Sequence, residues 1–104
     1  MSEARLTPLG EGRYSLEGVL DFATVTRVAG KGIALLRRDA LVDIDLAGVE
    51  SANSAGLALL LEWLDMARAR GARLAYRNLP DSLVRIAAVS NLATLLPTVS
   101  AEHH

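Results

Sequence analysis

The sequence predicts one α/β domain in which helices pack against a mixed sheet of four to five strands. Residues 42–46 alternate apolar and acidic side chains, and this period of two is typical of a strand with one buried face. Residues 54–70 carry apolar side chains at helical spacing, as expected of a helix that packs on a sheet. Strand-like and helix-like segments follow in the order β-β-α-β-α-β-α, which favours parallel strands connected by helices.

The bulk composition limits the number of domains and the kinds of partner. A chain of 104 residues has room for one core, so we assign residues 1–99 to a single domain and residues 100–104 to a polar tail. We interpret the two terminal histidines as the remnant of a purification tag. The chain has no cysteine and a net charge of −1. These values exclude disulfides and thiolate metal sites and give no reason to expect a nucleic-acid partner.

The hydropathy of the chain predicts a cytoplasmic protein with a covered surface. No apolar run approaches the ~20 residues that cross a bilayer, and the N-terminus lacks the apolar core of a signal peptide. Hydrophobic residues nevertheless make up 51% of the chain, which is high for a small soluble monomer. We therefore expect another protein to cover part of the apolar surface.

The first half of the chain predicts a hairpin followed by a helix. Residues 6–20 contain two apolar runs separated by a glycine-rich turn. Asp21 is a good N-cap for a helix that begins near Phe22. Two glycines, Gly30 and Gly32, each cost this helix about 1 kcal/mol relative to alanine, so we expect it to be the weakest helix. Its buried face is expected to contain Phe22, Val25, Val28, Ala29, Ile33 and Leu36.

The second half of the chain predicts the remaining elements. A polar turn over Ala47–Asn53 connects the acidic strand to the long helix, and Arg73–Arg77 alternates as a further strand. A third helix follows, with either Asp81 as its cap or Pro80 in its first turn. Residues 92–97 are predicted to form a short closing element.

Two carboxylates on the central strand, Asp43 and Asp45, are candidate functional groups. They project from one face, roughly 7 Å apart, and could hold a divalent cation or divide acid and base work. The alternative is that both lie on the solvent side of the sheet, with Asp45 stabilising the turn. We favour this alternative because a metal site needs more ligands. The sequence also contains no phosphate-binding glycine motif, and both histidines lie in the tail.

Ser54 is a second candidate, because it falls at the predicted start of the long helix. Its hydroxyl would lie near the unpaired N–H groups of the first turn, where the helix dipole favours a negative group. Ser54 is therefore either an N-cap residue or a site that would accept a phosphate. Geometry alone favours capping.

The long helix carries more apolar surface than one interface needs. Four leucines cluster on the stripe that should face the core: Leu57, Leu60, Leu61 and Leu64. Leu59, Trp63 and Met66 fall on roughly the opposite side at 100° per residue. This second stripe either packs under a neighbouring helix or binds a partner protein. Because tryptophan and methionine are enriched in interfaces, we favour the partner.

Two segments around this helix start resemble the signature of STAS domains (sulphate transporter and anti-sigma factor antagonist). Residues 45–49 read Asp-Leu-Ala-Gly-Val and residues 53–57 read Asn-Ser-Ala-Gly-Leu. In that family a strand ending in Asp-Leu-Ser leads into Asp-Ser/Thr-x-Gly-Leu at a helix start. Residues 18–21 are similar to the Gly-x-Leu-Asp of the family, and residues 90–92 take the place of its closing Ser-Gly-Leu. The resemblance implies a STAS-like fold over nearly the whole chain.

Within the family, residues 56–61, 65–67 and 95–97 are most similar to the MlaB-like group. These are cytoplasmic subunits of a phospholipid-transport ATP-binding-cassette (ABC) complex in Gram-negative bacteria. The resemblance implies a subunit without catalytic activity, cofactor or metal that binds the ATPase subunit (MlaF-like), and through it the permease complex, at the inner membrane. The complex would maintain outer-membrane lipid asymmetry. The expected partner-binding residues are Ser51, Asn53, Ser54, Ala55, Leu59, Trp63 and Met66.

The resemblance also implies an alternative function. Ser54 falls where anti-sigma factor antagonists carry their phosphoacceptor serine, and where MlaB-like proteins carry a functionally important threonine. In the alternative, the chain binds an anti-sigma kinase until Ser54 is phosphorylated, which adds about −1.5 to −2 charges. Asn53 stands where both groups usually have aspartate. This departure weighs more against kinase recognition than against docking, because asparagine still caps a helix well.

Overall fold

The computed structural model describes residues 3–92 and 98–99, and these form an α/β domain. The elements are β1 (Ala4–Gly10), β2 (Arg13–Leu20), α1 (Val25–Arg38), β3 (Leu41–Ala52), α2 (Ser54–Ala69), β4 (Arg73–Arg77), α3 (Asp81–Val89) and β5 (Thr98–Val99). The predicted fold class and element order are confirmed. Most of the predicted closing element, 93–97, and the polar tail, 100–104, lie outside the described residues. No helix in the described ranges is long and apolar enough to span a membrane.

The strands form one five-stranded sheet in which their spatial order follows the chain order. The β1–β2 hairpin is antiparallel, and the other three pairs are parallel. Each parallel connection between β2, β3 and β4 passes through a helix, as such connections require. The helices cover one face of the sheet, and the other face carries polar side chains.

Apolar and acidic side chains alternate along β3, so the apolar ones face the helices and the acidic ones face the open side of the sheet. Val42, Ile44 and Leu46 are buried beneath the helices, while Asp43 and Asp45 are half-buried on the open face. Burial of the three apolar side chains contributes about 1.5–3 kcal/mol each relative to exposure. A shift in register by one residue would place the carboxylates in the core, so this pattern fixes the register.

The predicted polar turn over Ala47–Asn53 is wrong, because β3 continues to Ala52. Residues 48–52 pair with β2 in parallel, with two register shifts along the pair. Polar and small side chains in this stretch suggested a turn, but the irregular pairing accommodates them within the strand. Asn53 alone therefore separates β3 from α2, and the start of α2 lies directly at the end of the central strand.

The start of α1 also differs from the prediction. The carboxylate of Asp21 accepts hydrogen bonds from the N–H groups of Ala23 and Thr24, both at 2.9 Å. These bonds form a turn, and α1 begins only at Val25. The buried Thr24 hydroxyl donates to the Val19 carbonyl at 2.7 Å and attaches this turn to β2. Phe22, predicted to be in the core, therefore lies on the turn and is 71% exposed.

The ends of the other two helices follow the sequence more closely. α2 extends to Ala69 and is followed by Gly71 in the left-handed region, with φ of 70°, which is a common way to end a helix. Neither predicted start of α3 holds, because Pro80, with extended backbone, is the N-cap and Asp81 is the first residue of the helix. The carboxylate of Asp81 thus lies in the first turn, where the helix dipole is favourable.

Candidate protein-docking site

The start of α2 is organised by Asn53. Its backbone is extended, and its side-chain oxygen accepts a hydrogen bond from the Ala55 N–H at 2.8 Å. Its carbonyl oxygen accepts from the Gly56 N–H at 3.0 Å. Asn53 is therefore the N-cap residue, and the interpretation of Ser54 as the cap is wrong.

Ser54 is the first residue of α2, and its side chain is exposed. Its hydroxyl makes no hydrogen bond to any residue in the described ranges. The first turn of α2 contains no acidic side chain, so the positive end of the helix dipole is not compensated there. The hydroxyl is accessible to a partner, and the local electrostatics would tolerate a phosphate on it.

Two of the predicted apolar anchors are not on the surface. Trp63 is fully buried and Leu59 is 4% exposed, so the prediction that they form an exposed partner-binding ridge is wrong. The indole N–H of Trp63 donates to the Ala29 carbonyl of α1 at 3.1 Å. Met66 is half-buried against the core. The second apolar stripe of α2 is covered by α1, which is the alternative that the sequence left open.

Gly32 explains why α1 can approach so closely. A Cβ atom at this position would clash with the indole ring of Trp63. The glycine that lowers the helix propensity of α1 therefore creates the space for the largest side chain of α2. Only the fold brings this glycine and this tryptophan together, and the predicted exposure of Trp63 therefore missed the contact.

A groove between α1 and α2 provides the exposed apolar surface instead. Its volume is about 260 Å³, and it begins at Ala55, next to Ser54 in the chain. It is lined by Phe22, Val25, Thr26 and Ala29 on one side and Ala55, Ala58, Leu59 and Glu62 on the other. The exposed ring of Phe22 lies at this groove, so an aromatic anchor and a free hydroxyl occur at the same end of the helix pair.

The remaining predicted contact residues differ in how far their side chains are exposed to solvent. Ser51 and Asn53 are exposed like Ser54, whereas Ala55 is buried beneath the first turn. Ala55 therefore contributes to the floor of the groove rather than to its rim. The exposed polar corner consists of Ser51, Asn53 and Ser54.

The two carboxylates of the open sheet face have structural partners. Asp43 accepts from Arg77 Nε at 3.0 and 3.1 Å, and the same arginine's terminal nitrogen lies 2.9 Å from its carboxylate. Asp45 accepts from the Ala47 N–H at 2.8 Å and from the Asn78 amide at 2.9 Å. Both groups thus connect β3 to β4 or to the backbone that follows. Both carboxylates lie on the open face of the sheet, as the favoured alternative predicted, but Asp45 bonds within β3 and to Asn78 because no turn follows it.

A larger groove of about 480 Å³ lies at the other end of the sheet. Its lining includes Arg13, Leu41 and Arg73, which stand at the amino ends of β2, β3 and β4. The groove between α1 and α2 begins next to Ser54, which follows the carboxyl end of β3. The two grooves are therefore at opposite ends of the strands. Binding sites in open α/β sheets usually lie at the carboxyl ends of the strands, which favours the groove near Ser54.

β3 leads through Asn53 into an exposed serine at the start of α2, the position where the sequence resembles the STAS signature. The family model described as "Mlab, STAS domain" matches residues 7–97. The chain therefore belongs to the STAS domain family. No curated protein sequence matched the chain.

Solved structures with the same fold include several anti-sigma factor antagonists. One from Mycobacterium paratuberculosis has a TM-score of 0.75 at 18% identity, covering 94% of this chain and 85% of that one. Unphosphorylated SpoIIAA has a TM-score of 0.71 at 16% identity, with coverage of 95% and 90%. A STAS protein from Planctomyces limnophilus gives 0.71 at 20% identity, with coverage of 98% and 92%. These similarities show a shared fold.

Proposed function

We propose that this chain is a non-catalytic accessory subunit that binds the MlaF-like ATPase of a phospholipid ABC transporter. In this role it acts on the cytoplasmic side of the inner membrane and supports assembly and activity of the transporter, which maintains outer-membrane lipid asymmetry. The match to the family model described as "Mlab, STAS domain" supports this choice within the family. The proposal assigns the chain a docking surface and no reaction of its own.

The observation that carries the proposal is the exposed aromatic ring of Phe22 beside the groove that begins next to Ser54. A single exposed apolar side chain is ordinary, but the ring of Phe22 adjoins the apolar groove, and a contiguous apolar patch marks a contact surface. Full burial of a phenylalanine is worth about 1.5–3 kcal/mol. The three exposed polar residues at 51, 53 and 54 supply hydrogen-bonding groups at the edge of this apolar centre, which is the usual anatomy of a protein interface.

The test is binding of the purified chain to its cognate MlaF-like ATPase. We expect Phe22→Ala to weaken the complex by about tenfold or more, since a central aromatic anchor is a typical hot spot. Val84→Ala is the matched control, because Val84 is an apolar side chain of α3 that is 46% exposed. Both variants should keep the stability of the parent chain. Unchanged affinity of the Phe22 variant would remove Phe22 from the interface, and absence of binding by the parent would reject the transporter function.

A phosphorylation-controlled partner switch is the second candidate, and the exposure of Ser54 favours it. Structural neighbours include SpoIIAA in its phosphorylated form, with a TM-score of 0.68 at 16% identity, covering 95% of this chain and 93% of that one. In this alternative the partner is an anti-sigma kinase, which binds the chain until a phosphate on Ser54 repels it.

Two measurements distinguish the two functions. The intact mass of the protein from native cells shows whether the chain carries a phosphate, and loss of that mass in Ser54→Ala assigns it to Ser54. Binding of Ser54→Ala and Ser54→Glu to the ATPase then shows whether charge at this position controls docking. A reproducible phosphate, together with binding to a kinase and not to the ATPase, would favour the switch. An unmodified Ser54 under all growth conditions, with tight ATPase binding, would favour the transporter subunit.

A further inference from the structure

The basic residues of the chain are concentrated on α1. This helix contains four of the eleven basic residues and none of the twelve acidic ones. All four, Arg27, Lys31, Arg37 and Arg38, are exposed. Arg38 lies 3.5 Å from the carboxylate of Asp39 and donates to the Tyr14 hydroxyl at 3.1 Å. The other three cations contact no acidic side chain in the part of the chain that the structure describes.

Gly30 lies among these cations, and the fold of the chain does not require it. It is exposed in the interior of α1, and a Cβ atom built on it would meet nothing within 4 Å. Glycine is the least favourable residue in a helix interior apart from proline. Gly32, by contrast, is required by the indole ring of Trp63. Gly30 therefore carries a cost that no contact within the described residues explains.

The geometry of α1 brings the two observations onto one surface. Thr26, Gly30 and Ala34 follow at four-residue spacing on the side opposite the buried residues of the helix. Arg37 lies two turns beyond Gly30 on this side, and Arg27 and Lys31 lie along one edge of the strip. The outer face of α1 is thus a strip of small residues bordered by free cations.

We propose that this outer face of α1 is a contact surface for an acidic segment of the protein partner, with Gly30 at the point of closest approach. The inference rests on the proposed function for the identity of that partner, the MlaF-like ATPase. The missing side chain at position 30 would let a partner backbone or helix come close to α1. The cations at positions 27, 31 and 37 would then pair with carboxylates around that point.

A protein partner fits this face better than a membrane surface does. Helices that lie in a lipid interface carry bulky apolar side chains on the inserted face, whereas this face presents Thr26, Gly30 and Ala34. A fluid lipid surface also adapts to a side chain, so it gives no reason for an exposed glycine. A rigid protein backbone does give such a reason.

The experiment compares steric and charge variants of the full chain in binding to the cognate MlaF-like ATPase. We expect Gly30→Gln to weaken binding by about tenfold or more, while its melting temperature equals or exceeds that of the parent because helix propensity improves. Ala69→Gln is the matched control, an exposed small residue near the end of α2.

We also expect the triple variant Arg27→Glu, Lys31→Glu, Arg37→Glu to weaken binding by about tenfold and to reduce its dependence on salt. The triple variant Arg70→Glu, Arg73→Glu, Arg85→Glu changes the net charge by the same amount at exposed arginines outside α1 and is its matched control.

Each result decides between the two proposals. If the parent binds the ATPase and both α1 variants bind as tightly, the inference about α1 is overturned and the proposed function survives. If the parent does not bind, both are overturned. Equal loss of affinity in the α1 variants and the controls would overturn the inference, because the effect would then not be local. Binding of the parent to phosphatidylglycerol vesicles that the triple variant loses, with ATPase binding unchanged, would assign the face to lipid instead and would also overturn it.

Discussion

The indole of Trp63 and the carbonyl of Ala29 form a hydrogen bond of 3.1 Å inside the contact between α1 and α2. Ala29 also lines the outer groove beside Phe22. The same residue therefore contacts the buried tryptophan on one side and the candidate docking groove on the other. The position of the groove therefore depends on this internal contact.

The two glycines of α1 should respond to the same substitution in opposite directions. Gly32→Ala places a methyl group against the indole ring and should lower the free energy of unfolding by about 1–3 kcal/mol. Gly30→Ala meets open space and should raise it by up to about 1 kcal/mol. Denaturant unfolding of the two variants is the measurement. A stabilised Gly32→Ala protein would contradict the close contact with Trp63.

Trp63→Ala should act on the fold. Removal of a fully buried indole should lower the free energy of unfolding by about 3–5 kcal/mol, because it leaves a cavity and an unpaired carbonyl at Ala29. Phe22→Ala, at a largely exposed position, should change it by no more than about 0.5 kcal/mol. Thermal unfolding of both variants provides the comparison. Parent-like stability of the tryptophan variant would show that α1 does not cover it.

The cap at Asn53 gives a local prediction for the start of α2. Asn53→Ala removes the acceptor for the Ala55 N–H and should lower the free energy of unfolding by about 1 kcal/mol. Asn53→Asp keeps the acceptor and adds a negative charge near the positive end of the dipole, so it should preserve or raise stability. Ser51→Ala is the control, because Ser51 is exposed and is not the cap. Equal stability of all three variants would argue against the cap.

The protein should lose stability in alkaline solution. Burial raises the pKa of Tyr76 well above its usual value, and its hydroxyl donates to the Leu60 carbonyl at 2.7 Å. A hydrogen bond to Asp39 raises the pKa of Tyr14 as well. Phenols of the unfolded chain release their protons near pH 10, while those of the folded chain keep them. Stability should therefore be complete below about pH 10 and should fall as the pH rises above it.

Tyr76→Phe separates this effect from general alkaline damage. The variant should be about 1 kcal/mol less stable than the parent at pH 7, because it loses the bond to Leu60. Its stability should depend less on pH above about 10, since the buried phenol is gone. The measurement is denaturant unfolding at several alkaline pH values. A parallel decline of parent and variant would show that other groups cause the loss.

The sequence predicted the regular elements because their signals are local. The alternation in β3 and β4 and the apolar spacing in α2 depend only on neighbouring residues, and these elements agree closely with the structure. The extent of β3 did not follow from the sequence, because small and polar residues at positions 47–52 suggest a turn. Only pairing with β2, which is distant in the chain at that point, makes this stretch a strand.

Only part of the candidate site could be predicted, because only part of it depends on local residue types. A helix start at Ser54 follows from local residue types. The burial of Trp63 depends on whether another helix covers it, and helical periodicity alone is silent on that question. Phe22 was assigned to the core because its spacing continued that of α1, yet the turn held by Asp21 delays the start of α1 to Val25, three residues later than the pattern suggests. The prediction placed the exposed apolar surface on α2, whereas the structure has it at the junction of α1 and α2.

The agreement between strand order in space and in the chain has a consequence for synthesis on the ribosome. Every strand that emerges finds its neighbour already made, first β1 for β2, then β2 for β3, and so on toward β5. No strand has to be inserted between two others that have already paired. The nascent chain can therefore extend its sheet at one growing edge, and α1 and α2 can pack on the face of β1 to β4 without waiting for β5.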